Sequence, residues 1–201
     1  GPSEVSIVAD KFADPELVAA DLIAQAEHDV YAQSILITDN KNLIRLVNLS
    51  LNKQLKQLPK KNIASQSLKK FGLSIFTNNK KRIPEIINTI APEHLELCTN
   101  INNTIINEIK NAGSIFIGKF SPEAIGDYIA GPNHVLPTAR TARFSSGIST
   151  IDYMRRTSLI KCDSRALNEI APSAIKIAEN EGLDAHALSM KIRMNNFKNE
   201  K

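Results

Sequence analysis

The feature that most constrains the fold is a series of short runs rich in Val and Ile, separated by longer stretches with helical spacing of apolar residues. The runs are Val5–Ala9, Ile35–Thr38, Leu73–Thr77 and Ile115–Gly118. Runs of this length, without alternation of polar and apolar residues, are typical of parallel strands buried on both faces. Strands that alternate with helices predict a layered α/β domain with a parallel sheet.

Helical patterns occupy the stretches between the runs. Asp14 followed by Pro15 predicts the start of the first helix, with Asp14 as the N-cap and apolar spacing that continues to about Gln33. Amphipathic spacing predicts two further helices, at Asn42–Leu58 and from Ile83 to Ile90.

Strand-like runs stop in the last quarter of the chain. The pattern of Ser164–Asn180 is helical, with Pro172 marking a break or a second helix start, and Asp184 predicts the cap of a last helix. We therefore divide the chain into an α/β segment, residues 1–148, and a helical tail, residues 149–201.

Composition excludes several classes of protein. A hydrophobic fraction of 42% is sufficient for a buried core. The net charge of +4 arises from stretches such as Lys53–Lys61 and Lys80–Arg82, which lack the interleaved aromatic residues of a nucleic-acid-binding surface. No apolar run approaches the ~20 residues of a membrane span, and the two cysteines, Cys98 and Cys162, form no disulfide framework. We expect a cytoplasmic protein that binds neither nucleic acid nor membrane.

Two pairs of residues are candidates for chemistry. Gln25 and His28 are spaced i and i+3 on the predicted first helix, which suits two ligands of one ion, although a solvated polar pair fits as well and Gln is an unusual zinc ligand. Glu93 and His94 follow Pro92 and are predicted near the start of a short helix. His is a common general base, and a buried Glu can activate water; a surface helix start is the alternative.

Two later positions complete the candidates. Asp127 lies with His134 in Ser121–Thr138, a stretch rich in turn residues, and loops of this kind bind ligands in α/β sheets. Asp127 fits a helix cap equally well. His186 follows Asp184 at the predicted start of the last helix, where an exposed helix-start residue is the alternative to a ligand. These residues, taken alone, do not define a reaction.

Together, the segments that hold these residues resemble histidinol dehydrogenases. The matching stretches, in the order of that family, are GPSEVSIVAD, ADLIAQAEHD, APEHLEL, AGSIFIG, SPEAIGDYIAGPNHVLPTARTARFSSG and EGLDAHALS. They extend over nearly the whole chain, and only about residues 40–67 carry no motif. The resemblance implies a three-layer, Rossmann-like half-domain with a parallel sheet, followed by the helical tail.

The resemblance also implies an activity. Members of the family oxidise L-histidinol through histidinaldehyde to L-histidine in histidine biosynthesis, with one zinc ion per site and two NAD. Carried over by position, the zinc ligands are Gln25, His28, Asp127 and His186, which also contact the substrate. The proton-transfer pair is Glu93 and His94, and His94 contacts the substrate as well. Further substrate contacts are Ser3 and Glu181.

The resemblance further implies a homodimer in which the tail crosses to the partner, so that Glu181 and His186 complete the partner's site. Full members carry a long N-terminal portion before the stretch GPSEV. No GxGxxG loop is present in this chain, and we expect the NAD site to lie in that N-terminal portion, with no cofactor-binding residue here. The alternative function is an inactive remnant that binds zinc or imidazole ligands.

Overall fold

The computed structural model describes residues 2–59, 61–99 and 103–196. The chain forms two compact units, one ending at Tyr153 and the other beginning at Met154. The strands of the first unit are β1 (Glu4–Ala9), β2 (Gln33–Thr38), β3 (Leu73–Phe76), β4 (His94–Cys98) and β5 (Ser114–Ile117). Its α-helices are α1 (Pro15–Ala26), α2 (Lys41–Leu55), α3 (Lys61–Phe71), α4 (Ile83–Ile90), α5 (Asn103–Glu108) and α6 (Glu123–Tyr128). Short 3-10 helices span Lys80–Arg82, Thr141–Arg143 and Thr150–Tyr153.

The five strands form one sheet in the order β3-β2-β1-β4-β5, and every pair is parallel. The register places Val5 beside His94 and His94 beside Ser114, so the amino ends of β1, β4 and β5 are aligned. The strand order reverses between β1 and β4, which is the arrangement of a doubly wound α/β sheet. The predicted α/β class is therefore confirmed.

Helices cover both faces of the sheet because the strands alternate their buried side chains. Val5 and Ile7 of β1 pack with Val18 and Leu22 of α1 on one face. Val8 points to the other face, where a second apolar cluster contains Ile87 of α4. The core is aliphatic, and each face contributes its own layer of apolar contacts.

Helix α1 begins as predicted but ends earlier. The carboxylate of Asp14 accepts a hydrogen bond from the Glu16 backbone N–H at 2.8 Å, and Pro15 occupies the first turn. The helix stops at Ala26 rather than near Gln33, and His28 lies in the turn that follows it.

One other local expectation is wrong, and one helix was not predicted. Glu93 and His94 do not begin a helix: His94 is the first residue of strand β4, with Glu93 immediately before it. Helix α3 occupies a stretch for which no separate helix was predicted.

The second unit consists of α7 (Ser164–Asn180) and α8 (Asp184–Asn196). Pro172 lies inside a continuous helix and neither breaks it nor begins a second one. The helices pack through small buried side chains, Ala171, Ala178 and Ala187. Among the described residues of the chain, no helix is both long and apolar enough to span a bilayer.

Candidate active site at the amino edge of the sheet

The topology of the sheet brings the candidate residues of the first unit to the edge where the strands begin. His94 opens β4 beside Val5 of β1, and Ser3 directly precedes β1. A helix that connects two parallel strands returns the chain from the carboxyl edge to the amino edge. Gln25 and His28 lie at and just beyond the carboxyl end of α1, and therefore belong to the same edge.

The imidazole of His94 is buried, with 5% of the residue exposed. Its Nδ1 atom lies 3.2 Å from the carbonyl oxygen of Glu4. Because a carbonyl oxygen only accepts hydrogen bonds, this contact places the proton of a neutral ring on Nδ1 and leaves Nε2 unprotonated. The Nε2 atom lies 3.9 Å from Oδ1 of Asp127. Burial lowers the pKa of His94, so the neutral form is favoured.

Glu93 is the second proton-transfer candidate, and its carboxylate is also largely buried. Its Oε2 atom accepts a hydrogen bond from the Glu4 backbone N–H at 3.0 Å. Burial raises the pKa of Glu93 to about 7, which is the range in which a carboxyl group exchanges protons at neutral pH. A Cβ atom at Gly113 would lie 2.5 Å from the Glu93 carbonyl oxygen, so the two backbone segments can approach this closely only with glycine at position 113.

Three of the residues offer ligand atoms within reach of one ion. One atom from each of His28, Glu123 and Asp127 lies within 4.8 Å of the other two. Within this group, Nε2 of His28 is 3.9 Å from Oδ2 of Asp127. One nitrogen and two oxygen donors suit zinc, which accepts imidazole and carboxylate ligands.

Gln25 supports the same interpretation from a different observation. Only 1% of the residue is exposed, yet neither its Oε1 nor its Nε2 atom has a hydrogen-bond partner among the described residues. A buried amide without partners is unfavourable unless another group satisfies it. A metal ion near the end of α1 would supply a partner for Oε1.

Glu123 is the residue at this site that the sequence analysis missed. It is 1% exposed, and its Oε2 atom lies 3.4 Å from Nδ1 of His94. Burial raises the pKa of Glu123 to about 9, with a further contribution from the neighbouring Glu96 carboxylate. The signal available in the sequence was its spacing of four residues from Asp127, which places both on one face of α6.

Glu96 and Asp21 extend this group of buried carboxyls away from the metal-ligand candidates. The Oε1 atom of Glu96 accepts a hydrogen bond from the Glu123 backbone N–H at 2.6 Å. Burial raises the pKa of both Glu96 and Asp21; the nearby Asp21 carboxyl raises the pKa of Glu96 further, whereas the hydrogen bond with Glu96 lowers that of Asp21. The group links β4, α1 and α6, and so fixes the elements that carry the site.

The first unit has one cavity beside the candidate site and another at the opposite edge of the sheet. A cavity of about 200 Å³ is lined by His94, Phe116 and His134, among others, and lies beside the proton-transfer residues. A larger one, about 570 Å³, lies at the carboxyl edge and is lined by Phe12, Phe120 and other residues of the loops that follow β1 and β5.

The remaining predicted residues lie outside this group. His186 is exposed in the first turn of α8, and Glu181 is exposed at the carboxyl end of α7. Both belong to the second unit, so their contribution to a site stays a prediction. Ser3 accepts a hydrogen bond from the Gln33 backbone N–H through its own carbonyl oxygen at 3.0 Å, and its contact with a substrate also stays a prediction.

Comparison with known proteins gives a single family. Residues 1–194 match the sequence model described as histidinol dehydrogenase. Histidinol dehydrogenases from Brucella abortus and Agrobacterium fabrum are 52% and 50% identical to the chain over 195 residues. Those matches cover 97% of this chain but 45% of each relative, so the chain spans less than half the length of the curated relatives it matches.

A solved structure agrees with the sequence comparisons. The crystal structure of histidinol dehydrogenase from Elizabethkingia anophelis superposes with a TM-score of 0.91 at 39% identity. The match covers 98% of this chain and 46% of that one. The likeness therefore extends over both units of this chain and leaves more than half of the other protein unmatched.

Proposed function

Because this chain belongs to the histidinol dehydrogenase family, we propose that it supplies the zinc-binding and proton-transfer residues for NAD-dependent oxidation of L-histidinol to L-histidine. The observation that carries the proposal is the orientation of His94, whose Nδ1 faces the Glu4 carbonyl while Nε2 faces Asp127 beside His28. That orientation is the one required of a general base next to a metal-bound substrate.

The proposed zinc ligands are Gln25, His28, Asp127 and His186. The first three belong to the first unit, and the unpartnered amide of Gln25 together with the close approach of His28 and Asp127 supports them. These residues would hold a zinc ion that orients the substrate, whose imidazole and amino nitrogens are suitable donors. Ser3, Glu181 and the ligand side chains would form the remaining contacts with the substrate.

His94 is the base for the oxidation of the alcohol. Its unprotonated Nε2 accepts the hydroxyl proton while the carbon loses a hydride to NAD, which yields the aldehyde. The lowered pKa of His94 keeps the ring neutral, and therefore able to accept a proton, at physiological pH. The Glu4 carbonyl oxygen contacts Nδ1, which keeps Nε2 directed toward the substrate.

Glu93 serves the second oxidation. An aldehyde must gain water before it can lose a second hydride and become an acid. A carboxyl whose pKa burial has raised to about 7 can take a proton from that water near neutral pH. As the hydrate forms, His94 returns the proton from the first step to the aldehyde oxygen, and its Nε2 can then accept the hydroxyl proton of the hydrate, as it did that of the alcohol.

The proposal assigns the NAD site to the part of the family's chain that these residues do not match. It also includes a homodimer in the cytoplasm, in which Glu181 and His186 of one subunit reach the site of its partner. The exposed positions of both side chains in the second unit are compatible with such an exchange. The alternative function is a module that binds zinc or an imidazole ligand without turnover.

The test is histidinol-dependent formation of NADH by this chain, alone and joined to the N-terminal portion of the Brucella abortus relative. We expect turnover in the joined protein, and a loss of roughly 10²–10⁴-fold in kcat with retained zinc in His94→Gln.

His28→Ala and Asp127→Ala are expected to lose zinc. Asp39→Ala, at the opposite edge of the sheet, is the matched control. Zinc binding without turnover would favour the alternative, and unchanged metal content in His28→Ala and Asp127→Ala would refute the ligand assignment.

A further inference from the structure

We propose that Glu123 is a positioning residue, whose carboxyl oxygen shares the Nδ1 hydrogen of His94 with the Glu4 carbonyl oxygen in a three-centre hydrogen bond and so helps to hold the ring for proton transfer. The inference rests on the proposed function, because it assigns His94 the role of base. It concerns how the ring is oriented, and adds a residue that neither the motifs nor the ligand set include.

The first support is that one carboxyl oxygen of Glu123 is buried without a hydrogen-bond partner in the part of the chain that the structure describes. Glu123 is 1% exposed, and its Oε2 atom has no hydrogen bond among the described residues. Nδ1 of His94 lies 3.4 Å from that atom. A buried acceptor and a nitrogen that carries a proton at this separation need only a small shift to form a hydrogen bond.

The second support is the way in which Glu123 is held. Its backbone N–H donates to Oε1 of Glu96 at 2.6 Å, and Glu96 is itself 1% exposed. Residues two apart in a strand point to the same face of a sheet, so Glu96 and His94 lie on one face of β4. The strand that carries the ring therefore also carries the group that fixes the backbone of Glu123 opposite it.

The third support distinguishes positioning from metal ligation. Glu123 also lies near His28 and Asp127, so a ligand role is the competing interpretation. Its Oε2 atom, however, lies 3.4 Å from Nδ1 of His94, whereas Nε2 is the atom of the ring that faces Asp127. Either the neutral or the ionised carboxyl retains an oxygen lone pair for Nδ1–H, and the inference does not depend on which form is present.

The experiment compares two substitutions in the joined protein described above. Glu123→Met keeps the length of the side chain but removes the acceptor, whereas Glu123→Gln retains a carbonyl oxygen. We expect kcat to fall about 10–100-fold in Glu123→Met, with bound zinc and the KM for histidinol nearly unchanged. Glu123→Gln is expected to recover activity to within a few-fold of the unsubstituted protein.

Loss of zinc from Glu123→Met would overturn the inference in favour of ligation, and an unchanged kcat would overturn it outright. A Glu123→Gln variant as impaired as Glu123→Met would show that charge, rather than an acceptor, is required. Thermal unfolding of both variants checks that they fold.

A readout without turnover separates this inference from the proposed function. Nitrogen NMR of the His94 ring in the zinc-loaded chain is expected to show one well-ordered tautomer, protonated on Nδ1, and a broadened or mixed signal in Glu123→Met. Identical ring signals in both proteins would refute the positioning role even if the joined protein oxidised no histidinol. Absence of turnover with the expected NMR difference would contradict only the proposed function.

Discussion

Gln25 provides the sharpest test of the proposed metal site, because its amide is buried and has no hydrogen-bond partner within the described part of the chain. We expect Gln25→Met to stabilise the metal-free chain and to weaken zinc binding at the same time. Met has a similar length and no amide, so the substitution removes two unsatisfied polar atoms without opening a large cavity. A residue retained for structure alone would show the opposite sign.

The magnitude follows from the cost of burying an unpaired polar group, about 1–3 kcal/mol. For a chain of this size, 1 kcal/mol corresponds to roughly 2–4 °C in the midpoint of thermal unfolding, so Gln25→Met is expected to raise it by about 2–12 °C without metal. Zinc at 100 times its dissociation constant stabilises the unsubstituted chain by about 2.7 kcal/mol. A variant that binds 100-fold more weakly gains only about 0.4 kcal/mol under the same conditions.

The assay is thermal unfolding of both proteins with a chelator and with zinc, together with direct measurement of bound metal. The difference in midpoint is expected to shrink or reverse when zinc is added. His28→Ala is the matched control, because it removes a ligand whose side chain is 47% exposed and is expected to lose zinc without stabilising the metal-free chain. Destabilisation of the metal-free chain by Gln25→Met would refute the reasoning.

Three further predictions concern proton uptake, packing and thiol chemistry. Because burial raises the pKa of Glu93 to about 7 from its ordinary value of 4.5, its contribution to the free energy of unfolding is present below about pH 4.5 and is lost as the pH rises through about 7. Urea unfolding across this pH range checks the prediction, and Glu93→Gln is expected to reduce the pH dependence. Gly113→Ala, which places a methyl group 2.5 Å from a carbonyl oxygen, is expected to destabilise the chain by about 1–3 kcal/mol in urea unfolding, and equal stability would contradict it. A thiol reagent is expected to react quickly with exposed Cys162 and slowly with Cys98, whose pKa burial raises to about 12; the fast phase must disappear in Cys162→Ser.

The fold was largely predictable because most of its strands coincide with short runs rich in Val, Ile and other apolar residues. Strand β4 was not predicted, since His94 and Glu96 interrupt its apolar residues and Pro92 before it imitates a helix start. Both polar side chains are buried in the structure, where other side chains and backbone groups contact them. Such contacts depend on residues distant in the sequence, and local patterns carry no information about them.

The candidate site was less predictable than the fold, because local spacing did not show which residues lie close together. The end of α1 was placed too late because the apolar spacing continues past Ala26, whereas the chain turns at Asp29, whose carboxylate accepts a hydrogen bond from the Tyr31 backbone N–H. The proximity of His28 to Asp127 came from the family resemblance and not from spacing. The burial of Glu123 could not be inferred from the sequence, because it depends on α6 lying against β4.

The location of the candidate site at the amino edge has a consequence for altering this protein. The loops that follow β1 and β5 at the carboxyl edge contain none of the proposed ligands or proton-transfer residues. Lengthening the loop that follows β1, or inserting a reporter peptide into it, is therefore expected to leave the geometry around His94 intact, whereas the loop that follows β5 leads directly into Glu123 and must keep its length. The amino edge of the sheet therefore carries the candidate site, and the carboxyl edge, at the loop that follows β1, is where a peptide could be attached without changing that site.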